Sequence, residues 1–555
     1  MKKFTAILLA VVMLFALSAS AFAATNSLET EYAIGNGLGV SVDLDIEGMY
    51  FDYPDILNTA TNGYYPFSFS LIASDRSKVA SVTVSNGGSF HWAYAQNADG
   101  SYVTDEDGNY VESTTTNYGV VVLPTTSAST VTVTGTGNIG SATFNCAQPN
   151  GGTTAAGTEL YAYLPAPAQF VNEGVTTGGW GDAYDSNGAV KATGSTGVSL
   201  GFFGGYAVYE FENPIADDPT HPYGADFIVY GNAFWNNSEA GCIQVSKDGQ
   251  TWYDIAGSMY YTKSTPNSTI TYNNPSVTED AAITAPGSNL GTLAPVSYTL
   301  NGAAGTVTTN TFHNHSWFPL NANYFVTYGP RAAMAKVDEL PFISRMLASN
   351  GVTDKLTFTG TLLTNYPGTN KTAEIGFGYC DVHPNKTLGG TIAYNPYQTF
   401  TSSSDYDTKV AGTSGGDPID IAWAVKSNGT PANLDSIRYV RIYTGMAQMN
   451  GIFGEISTEV CGVAACTGST TETAATPTIS VDGSTVTTTN GGILPLSKKS
   501  GDYTVNVTGT GYVYINGVAT TSATITPTRT GTKVQIIVQN GEAAPYVTYL
   551  NLQKK

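Results

Sequence analysis

The chain has 555 residues and a formal net charge of −20, and Asp, Glu, Lys and Arg make up only 12% of it, about half the usual share. An acidic surface repels phosphate backbones, so this composition argues against a nucleic-acid partner. The length allows about three or four domains of ordinary size.

The first 23 residues have the three parts of an export signal. Lys2 and Lys3 give a positive start, residues 4 to 17 are almost wholly apolar, and Ala21-x-Ala23 offers the small side chains that a signal peptidase accepts. The apolar run is shorter than the roughly 20 residues that a membrane span needs. We therefore predict cleavage after Ala23, a secreted or cell-surface location, and no membrane span in the remaining chain.

Runs of β-branched and aromatic residues, bounded by Gly, Pro, Asn and Asp, recur along the chain and predict strands. Examples are 206–211, 226–230 and 437–443. Pairs such as Asp248-Gly249 predict tight turns between strands. One stretch, 331–349, has a helical pattern that Pro341 interrupts, which indicates a short helical insertion. The sequence therefore predicts an all-β, multidomain β-sandwich protein.

Changes in composition divide the chain into five parts. A signal peptide (1–23) precedes an N-terminal β domain (24–152) and a long, jelly-roll-like central module (153–466) with the helical insertion. A Thr- and Ala-rich linker (467–477) then leads to a C-terminal domain (478–555). The even spacing of strand patterns in this last part is typical of an immunoglobulin-like sandwich.

The central module carries a recognisable hairpin pattern. Residues 245–252, Val-Ser-Lys-Asp-Gly-Gln-Thr-Trp, resemble the V-S-x-D-G-x-x-W hairpin of jelly-roll carbohydrate-binding and discoidin-like domains. A larger ordered set resembles a family of uncharacterised bacterial cell-surface proteins: 226–234, 252–258, 376–381, 417–425 and 453–460. The resemblance implies a surface location and neighbouring immunoglobulin-like domains, and it brings no established activity.

Aspartates stand out in loops and strand ends of a module that is otherwise poor in charge. These are Asp182, Asp185, Asp381, Asp417 and Asp420. Ca²⁺ takes about six to eight oxygen ligands from carboxylates and loop carbonyls, so we predict Ca²⁺ as a cofactor held by these residues. The alternative is turn chemistry, in which Asp side chains accept hydrogen bonds from their own backbone.

Four aromatic residues lie in loop-like segments and are candidates for stacking on a ligand: Trp180, Trp235, Tyr260 and Tyr261. They favour a noncatalytic protein that binds an extracellular partner, a glycan first or else a surface protein. A structural envelope or matrix protein without a small ligand is the alternative.

An extracellular polysaccharide hydrolase is a further alternative. A glycosidase needs two carboxylates that flank the scissile bond, and Glu455 and Glu459 lie four residues apart without a distinctive setting. None of the nucleophile-elbow, zinc-protease, P-loop or dinucleotide-binding patterns occurs in its required context. The sequence therefore predicts no catalytic residue.

Overall fold

A computed structural model describes residues 29–35, 38–43, 68–95, 103–106, 111–123, 129–146, 158–168, 198–249, 251–273, 295–308, 355–364, 375–392, 394–449 and 454–555. Strands account for 48% of it and helices for 5%, and most sheets are antiparallel, so the predicted all-β, multidomain β-sandwich is confirmed. The signal segment and the predicted helical insertion lie outside the described residues. Within them, we find no helix with the length and apolarity to cross a bilayer.

The N-terminal part contains a five-stranded and a three-stranded antiparallel sheet, with strand orders β1-β2-β3-β6-β5 and β4-β7-β8. A short 3-10 helix, Arg76–Lys78, connects the two. The strands are β1 (Glu29–Gly35), β2 (Leu38–Asp43), β3 (Ser68–Ala73), β4 (Val79–Val84), β5 (Ser89–Trp92), β6 (Tyr118–Val122), β7 (Ser129–Gly135) and β8 (Ser141–Cys146).

The part of the central module that the structure describes contains four sheets, with strand orders β20-β14-β13-β21-β11-β9, β17-β16-β15-β18, β19-β12-β23 and β10-β22. Its strands are β9 (Thr158–Leu164), β10 (Val198–Ser199), β11 (Tyr206–Ala216), β12 (Phe227–Tyr230), β13 (Gly241–Ser246), β14 (Tyr253–Ile255), β15 (Ser264–Asn273), β16 (Val296–Leu300), β17 (Ala303–Val307), β18 (Lys355–Leu363), β19 (Asp417–Ile419), β20 (Ala424–Val425), β21 (Ser436–Thr444), β22 (Glu459–Val460) and β23 (Gly462–Ala465).

The described residues of the central module include three short helical segments. The α-helix α1 (Ser403–Lys409) begins where the Ser402 hydroxyl accepts a hydrogen bond from the Asp405 N–H at 3.1 Å, the usual role of an N-cap serine. The other two are the 3-10 helices Pro222–Gly224 and Ile421–Trp423. All three lie in connections between strands, so the sheets determine the architecture.

The predicted hairpin is present as β13 and β14, with Val245 opposite Tyr253. The Asp248 carboxylate accepts the Thr251 N–H at 2.7 Å, and Gly249 has a φ of 72°, which together close the tight turn. Trp252 returns to the core, where the Arg441 guanidinium lies 4.2 Å from its ring centroid.

The C-terminal part forms a two-sheet sandwich with strand orders β25-β24-β27-β30 and β26-β32-β31-β28-β29, in which β26 and β32 pair in parallel. The strands are β24 (Thr478–Val481), β25 (Ser484–Val486), β26 (Ile493–Lys498), β27 (Tyr503–Thr508), β28 (Tyr512–Ile515), β29 (Val518–Ala519), β30 (Ser522–Ile525), β31 (Thr532–Gln539) and β32 (Tyr546–Lys554).

The C-terminal sandwich packs directly on the central module. Tyr514 places its ring 5.2 Å from that of Phe377, and Tyr549 belongs to the same buried cluster as the central core. Gly517, at a φ of 72°, approaches so closely that a Cβ there would lie 1.8 Å from the Ser258 carbonyl oxygen. The two parts therefore share one apolar contact region.

The linker runs between these parts with hydrogen bonds to both. The Thr467 N–H donates to the Gly390 carbonyl and the Thr470 N–H to the Thr220 carbonyl, both at 2.7 Å. The Glu472 carboxylate accepts the N–H of Glu542 in the C-terminal sandwich at 2.8 Å.

Candidate ligand and metal sites

Six acidic side chains of the central module meet in two separate clusters of three. In each cluster, one carboxylate oxygen from every member lies within 4.8 Å of the others. The sets are Glu239, Asp381 and Glu459, named here the Asp381 cluster, and Asp217, Asp226 and Asp420, named here the Asp420 cluster.

The Asp381 cluster is held by neutral donors. Asp381 Oδ1 accepts the Asn232 N–H at 2.7 Å, and Asp381 Oδ2 accepts the Glu459 N–H at 3.2 Å. The Ser199 hydroxyl donates to Glu459 Oε1 at 3.0 Å. These contacts fix the orientation of two carboxylates without adding a positive charge.

Burial sets the charge state of the Asp381 cluster. It raises the pKa of Glu239 and of Asp381 well above the usual range, and the nearby charge of Glu459 raises both further. Burial also raises the pKa of Glu459, to about 7, against the opposing hydrogen bond from Ser199. Near neutral pH the cluster must therefore take up protons or bind a cation to limit repulsion.

The Asp420 cluster has a basic neighbour. Asp226, fully buried, faces His221 Nδ1 at 3.1 Å through Oδ1. Its other oxygen, Oδ2, accepts the Ile421 N–H at 2.9 Å. The hydrogen bond to Asp226 raises the pKa of His221, so the imidazole is more readily charged at this position.

Asp420 itself caps a short helix. Its Oδ1 accepts the Ala422 N–H at 2.7 Å at the start of the 3-10 helix Ile421–Trp423. Burial, followed by the charge of Asp217, raises the pKa of Asp420 well above its usual range. Burial and then Asp226 raise the pKa of Asp217 to about 7. Asp420 thus accepts a hydrogen bond from its own segment's backbone, as the turn interpretation predicts, and also lies in a cluster of three carboxylates.

An exposed aromatic turn lies in the loop between β12 and β13. The Asn237 N–H donates to the Phe234 carbonyl at 2.8 Å, which closes the turn. The Phe234 side chain is 67% exposed, whereas Trp235 is half-buried with its ring 6.3 Å from that of Tyr406. We name Phe234 and Trp235 the aromatic tip.

Asp381 binds both ends of the loop that carries the aromatic tip. Its side chain accepts the Asn232 N–H at one end, and its backbone carbonyl accepts the Glu239 N–H at 3.1 Å at the other. At Gly231 a Cβ would lie 2.3 Å from Asp381 Oδ1, so only glycine allows this approach. Asp381 therefore connects both ends of the aromatic-tip loop to the Asp381 cluster.

A cleft of about 250 Å³ opens between the central module and the C-terminal sandwich. Tyr397, Phe400 and Tyr514 form aromatic parts of its wall, and Lys263 and His383 also line it. Of the described residues around the cleft, none is Asp or Glu.

The structure separates the predicted metal ligands. Asp381 and Asp420 lie in different clusters. Asp417 is in neither: its Oδ1 lies 2.7 Å from His383 Nδ1. Asp182 and Asp185 lie outside the described residues.

The predicted stacking residues also have different surroundings. Trp180 lies outside the described residues, and Trp235 belongs to the aromatic tip. Tyr260 is 5% exposed within the core, and the Tyr261 hydroxyl donates to the Gly429 carbonyl at 2.9 Å. Because Tyr260 is buried, it offers no ring face to an external ligand. Among the predicted stacking residues that the structure describes, Trp235 is the one that lies beside an exposed aromatic residue, Phe234.

Several residues of these sites are not evident from the sequence. In the Asp381 cluster, Glu239 meets two acids that are more than 140 residues away in the chain. In the Asp420 cluster, Asp420 is likewise more than 140 residues away from Asp217 and Asp226. Phe234 directly precedes Trp235, which the sequence predicts as a stacking residue. The segment 234–237, an aromatic pair followed by two asparagines, is the sequence signal that could have identified Phe234.

A scan against protein-family models finds no match, and a search of curated proteins finds no significantly similar sequence. The family resemblance noted for the sequence therefore stays a prediction.

Proposed function

We propose that the chain is an exported, noncatalytic protein that binds an extracellular glycan through the aromatic tip. The observation that carries this proposal is Phe234, a large apolar side chain that is 67% exposed at a tight turn. Exposed aromatics of this kind supply contact area at binding sites, because a ring face can pack on the apolar face of a sugar. Asn236 and Asn237 are exposed beside it and can form hydrogen bonds with hydroxyl groups.

We propose Ca²⁺ as the cofactor that supports this loop. The Asp381 cluster offers three carboxylates and no sulfur or imidazole ligand among the described residues, which fits the preference of Ca²⁺ for oxygen. Glu239, Asp381 and Glu459 would hold the ion, and its charge would offset their repulsion. Asp381 would then keep both ends of the tip loop in place.

Export is the third part of the proposal. It is supported by Lys2, Lys3, the apolar run and Ala21-x-Ala23. Mass spectrometry of the protein recovered from the medium or cell surface should find Ala24 as the first residue. A chain that still begins with Met1 would contradict export by this signal.

A glycan array tests the proposed binding. The secreted protein should bind a defined subset of glycans, and Phe234→Ala should lose most of that signal. Tyr512→Ala is the matched control, because Tyr512 is also an exposed aromatic, at 38%, but lies in the C-terminal sandwich. Equal binding by Phe234→Ala and the parent protein would contradict the proposed site.

The same array separates the alternatives. A folded protein that binds no glycan would favour a structural envelope or matrix role. The raised pKa of Glu459, to about 7, is the observation that favours a hydrolase, since acids with such values occur at catalytic sites. Release of reducing sugar that Glu459→Gln abolishes would support that reading instead.

A further inference from the structure

The cleft between the central module and the C-terminal sandwich has features of a second binding site. Its volume of about 250 Å³ lies below the range of about 300–1,000 Å³ typical of drug-sized ligands, so it admits a ligand of roughly one ring. Clefts at domain interfaces are common ligand sites. Gln398 and Thr399 add neutral hydrogen-bonding groups to the aromatic wall.

His383 is held in one orientation at this cleft. Its Nδ1 lies 2.7 Å from Asp417 Oδ1, and its ring stacks on Tyr406 with a centroid distance of 5.7 Å and an interplanar angle of 11°. Phe400 packs edge-on against the same ring at 5.4 Å. When Nδ1–H donates to Asp417, Nε2 is left as the acceptor, and it has no partner among the described residues.

The residues around the cleft differ in charge from the chain as a whole. The whole protein carries a net charge of −20, yet the described residues that line the cleft include Lys263 and neither Asp nor Glu. A lysine in a cleft without acidic residues favours an anionic ligand. Tyr397 and Phe400 are only 1% and 2% exposed, so among the described aromatic residues of the cleft the half-buried Tyr514 ring is the one on which a sugar ring can pack. Gln398 and Thr399 supply neutral hydrogen-bonding groups beside it.

We infer that this cleft binds one acidic sugar residue of the uronic-acid type. Its carboxylate pairs with the Lys263 ammonium, and one of its hydroxyls donates to Nε2 of His383. Asp417 acts as a positioning residue for the imidazole. The inference shares its ligand class with the proposed function, but it does not depend on the aromatic tip.

Two sugars that differ only at C6, which is a carboxylate in one and a hydroxymethyl group in the other, test the cleft. Ligand-observed NMR or calorimetry with the secreted protein should show that D-galacturonate binds and that D-galactose binds at least about tenfold more weakly, since a charge-assisted pair is lost. Lys263→Gln should remove this preference. Lys355→Gln, an exposed lysine at the start of β18, is the matched control and should leave it intact.

His383→Phe retains the ring that stacks on Tyr406 and removes Nε2, so it should weaken both sugars. Its melting temperature checks that the fold is intact, and Lys263→Gln keeps the test valid if His383→Phe does not fold. Equal affinity for the two sugars, no binding of galacturonate, or an unchanged preference in Lys263→Gln would each overturn the inference. Phe234→Ala should leave galacturonate binding unchanged, which distinguishes failure of the cleft from failure of the aromatic tip.

Discussion

The two carboxylate clusters have the same number of acids but differ in how their charge is compensated. In the Asp420 cluster, the imidazole of His221 lies 3.1 Å from Asp226. In the Asp381 cluster, the donors include peptide N–H groups and neutral side chains such as the Ser199 hydroxyl, and no basic side chain of the described residues forms an ion pair with it. Buried like charges repel unless protons or a cation compensate them.

The number of acids alone therefore does not determine whether a cluster depends on a metal ion. A cluster with its own basic partner is partly compensated in the absence of a metal. A cluster with neutral donors depends on protons at low pH and on a cation at higher pH. We therefore expect the Asp381 cluster to account for most of any response to Ca²⁺.

The largest expected effect comes from Asp381→Asn. Ca²⁺ that binds only the folded state stabilises it by about 2.7 kcal/mol at a hundredfold excess over its Kd. Asp381→Asn should lose most of that gain in thermal unfolding at pH 8. In chelator, its melting temperature should equal or exceed that of the parent, because one buried charge is gone.

Asp502→Asn is the control for this change, since Asp502 is exposed on the C-terminal sandwich and should leave the Ca²⁺ response unaltered. Equal stabilisation of Asp381→Asn and the parent protein by Ca²⁺ would show that the Asp381 cluster does not cause the Ca²⁺ response.

A smaller effect is expected at the other cluster. Asp420→Asn should remove only a minor part of the Ca²⁺ response, because His221 already compensates Asp226. In a His221→Ala background, the part of the Ca²⁺ response that depends on Asp420 should be larger. Differential scanning calorimetry of both variants and the double variant, with and without Ca²⁺, measures the coupling. If Asp420→Asn lost more of the Ca²⁺ response than Asp381→Asn, the Asp420 cluster would be the main source of that response, contrary to our expectation.

Stability should also depend on pH through the two clusters. Asp217 and Glu459 have pKa values raised to about 7, above the usual values of about 4. The folded state therefore holds more protons than the unfolded state, and the stability from these groups, full below about pH 4, falls as the pH rises towards 7. Melting in chelator should fall from pH 5 to pH 8, and the gain from Ca²⁺ should grow over that window. If the gain in melting temperature from Ca²⁺ were the same at pH 5 and pH 8, protons and Ca²⁺ would not compete for these carboxylates.

The smallest effect is expected where the N-terminal part meets the hairpin turn. His91 Nε2 lies 2.9 Å from Asp248 Oδ2. Burial opposes the charged imidazole, but the hydrogen bond and the charge of Asp248 outweigh it and raise the pKa of His91. The stabilisation from the charged imidazole is therefore fully present at low pH and is lost as the pH rises through that raised pKa, whereas a neutral imidazole can still form the hydrogen bond.

We expect His91→Ala to cost about 1 kcal/mol at pH 5.5 and less at pH 8. Hydrogen exchange of the β5 region measures this local effect. Equal protection at both pH values in the parent protein would exclude the pH-dependent contact.

The fold was predictable because its signals are local. Alternating apolar residues, together with Asp248-Gly249 between β13 and β14, determine strands and a turn within a few residues. The clusters are not local, because Glu239 joins Asp381 and Glu459 only after the sheets have formed. The sequence identified Asp381 and Asp420 as unusual acids but could not separate them, and it placed Asp417 with them although its partner is His383.

The most direct test of the account is the affinity of the secreted protein for its strongest array glycan, measured in millimolar Ca²⁺ and again in chelator at pH 8. If the Asp381 cluster holds the aromatic tip in its binding conformation, affinity should fall at least about tenfold in chelator, as expected when the competent population falls to about a tenth. Asp381→Asn should have the lower affinity under both conditions. An affinity that is the same in Ca²⁺ and in chelator would contradict the coupling between the cluster and the tip.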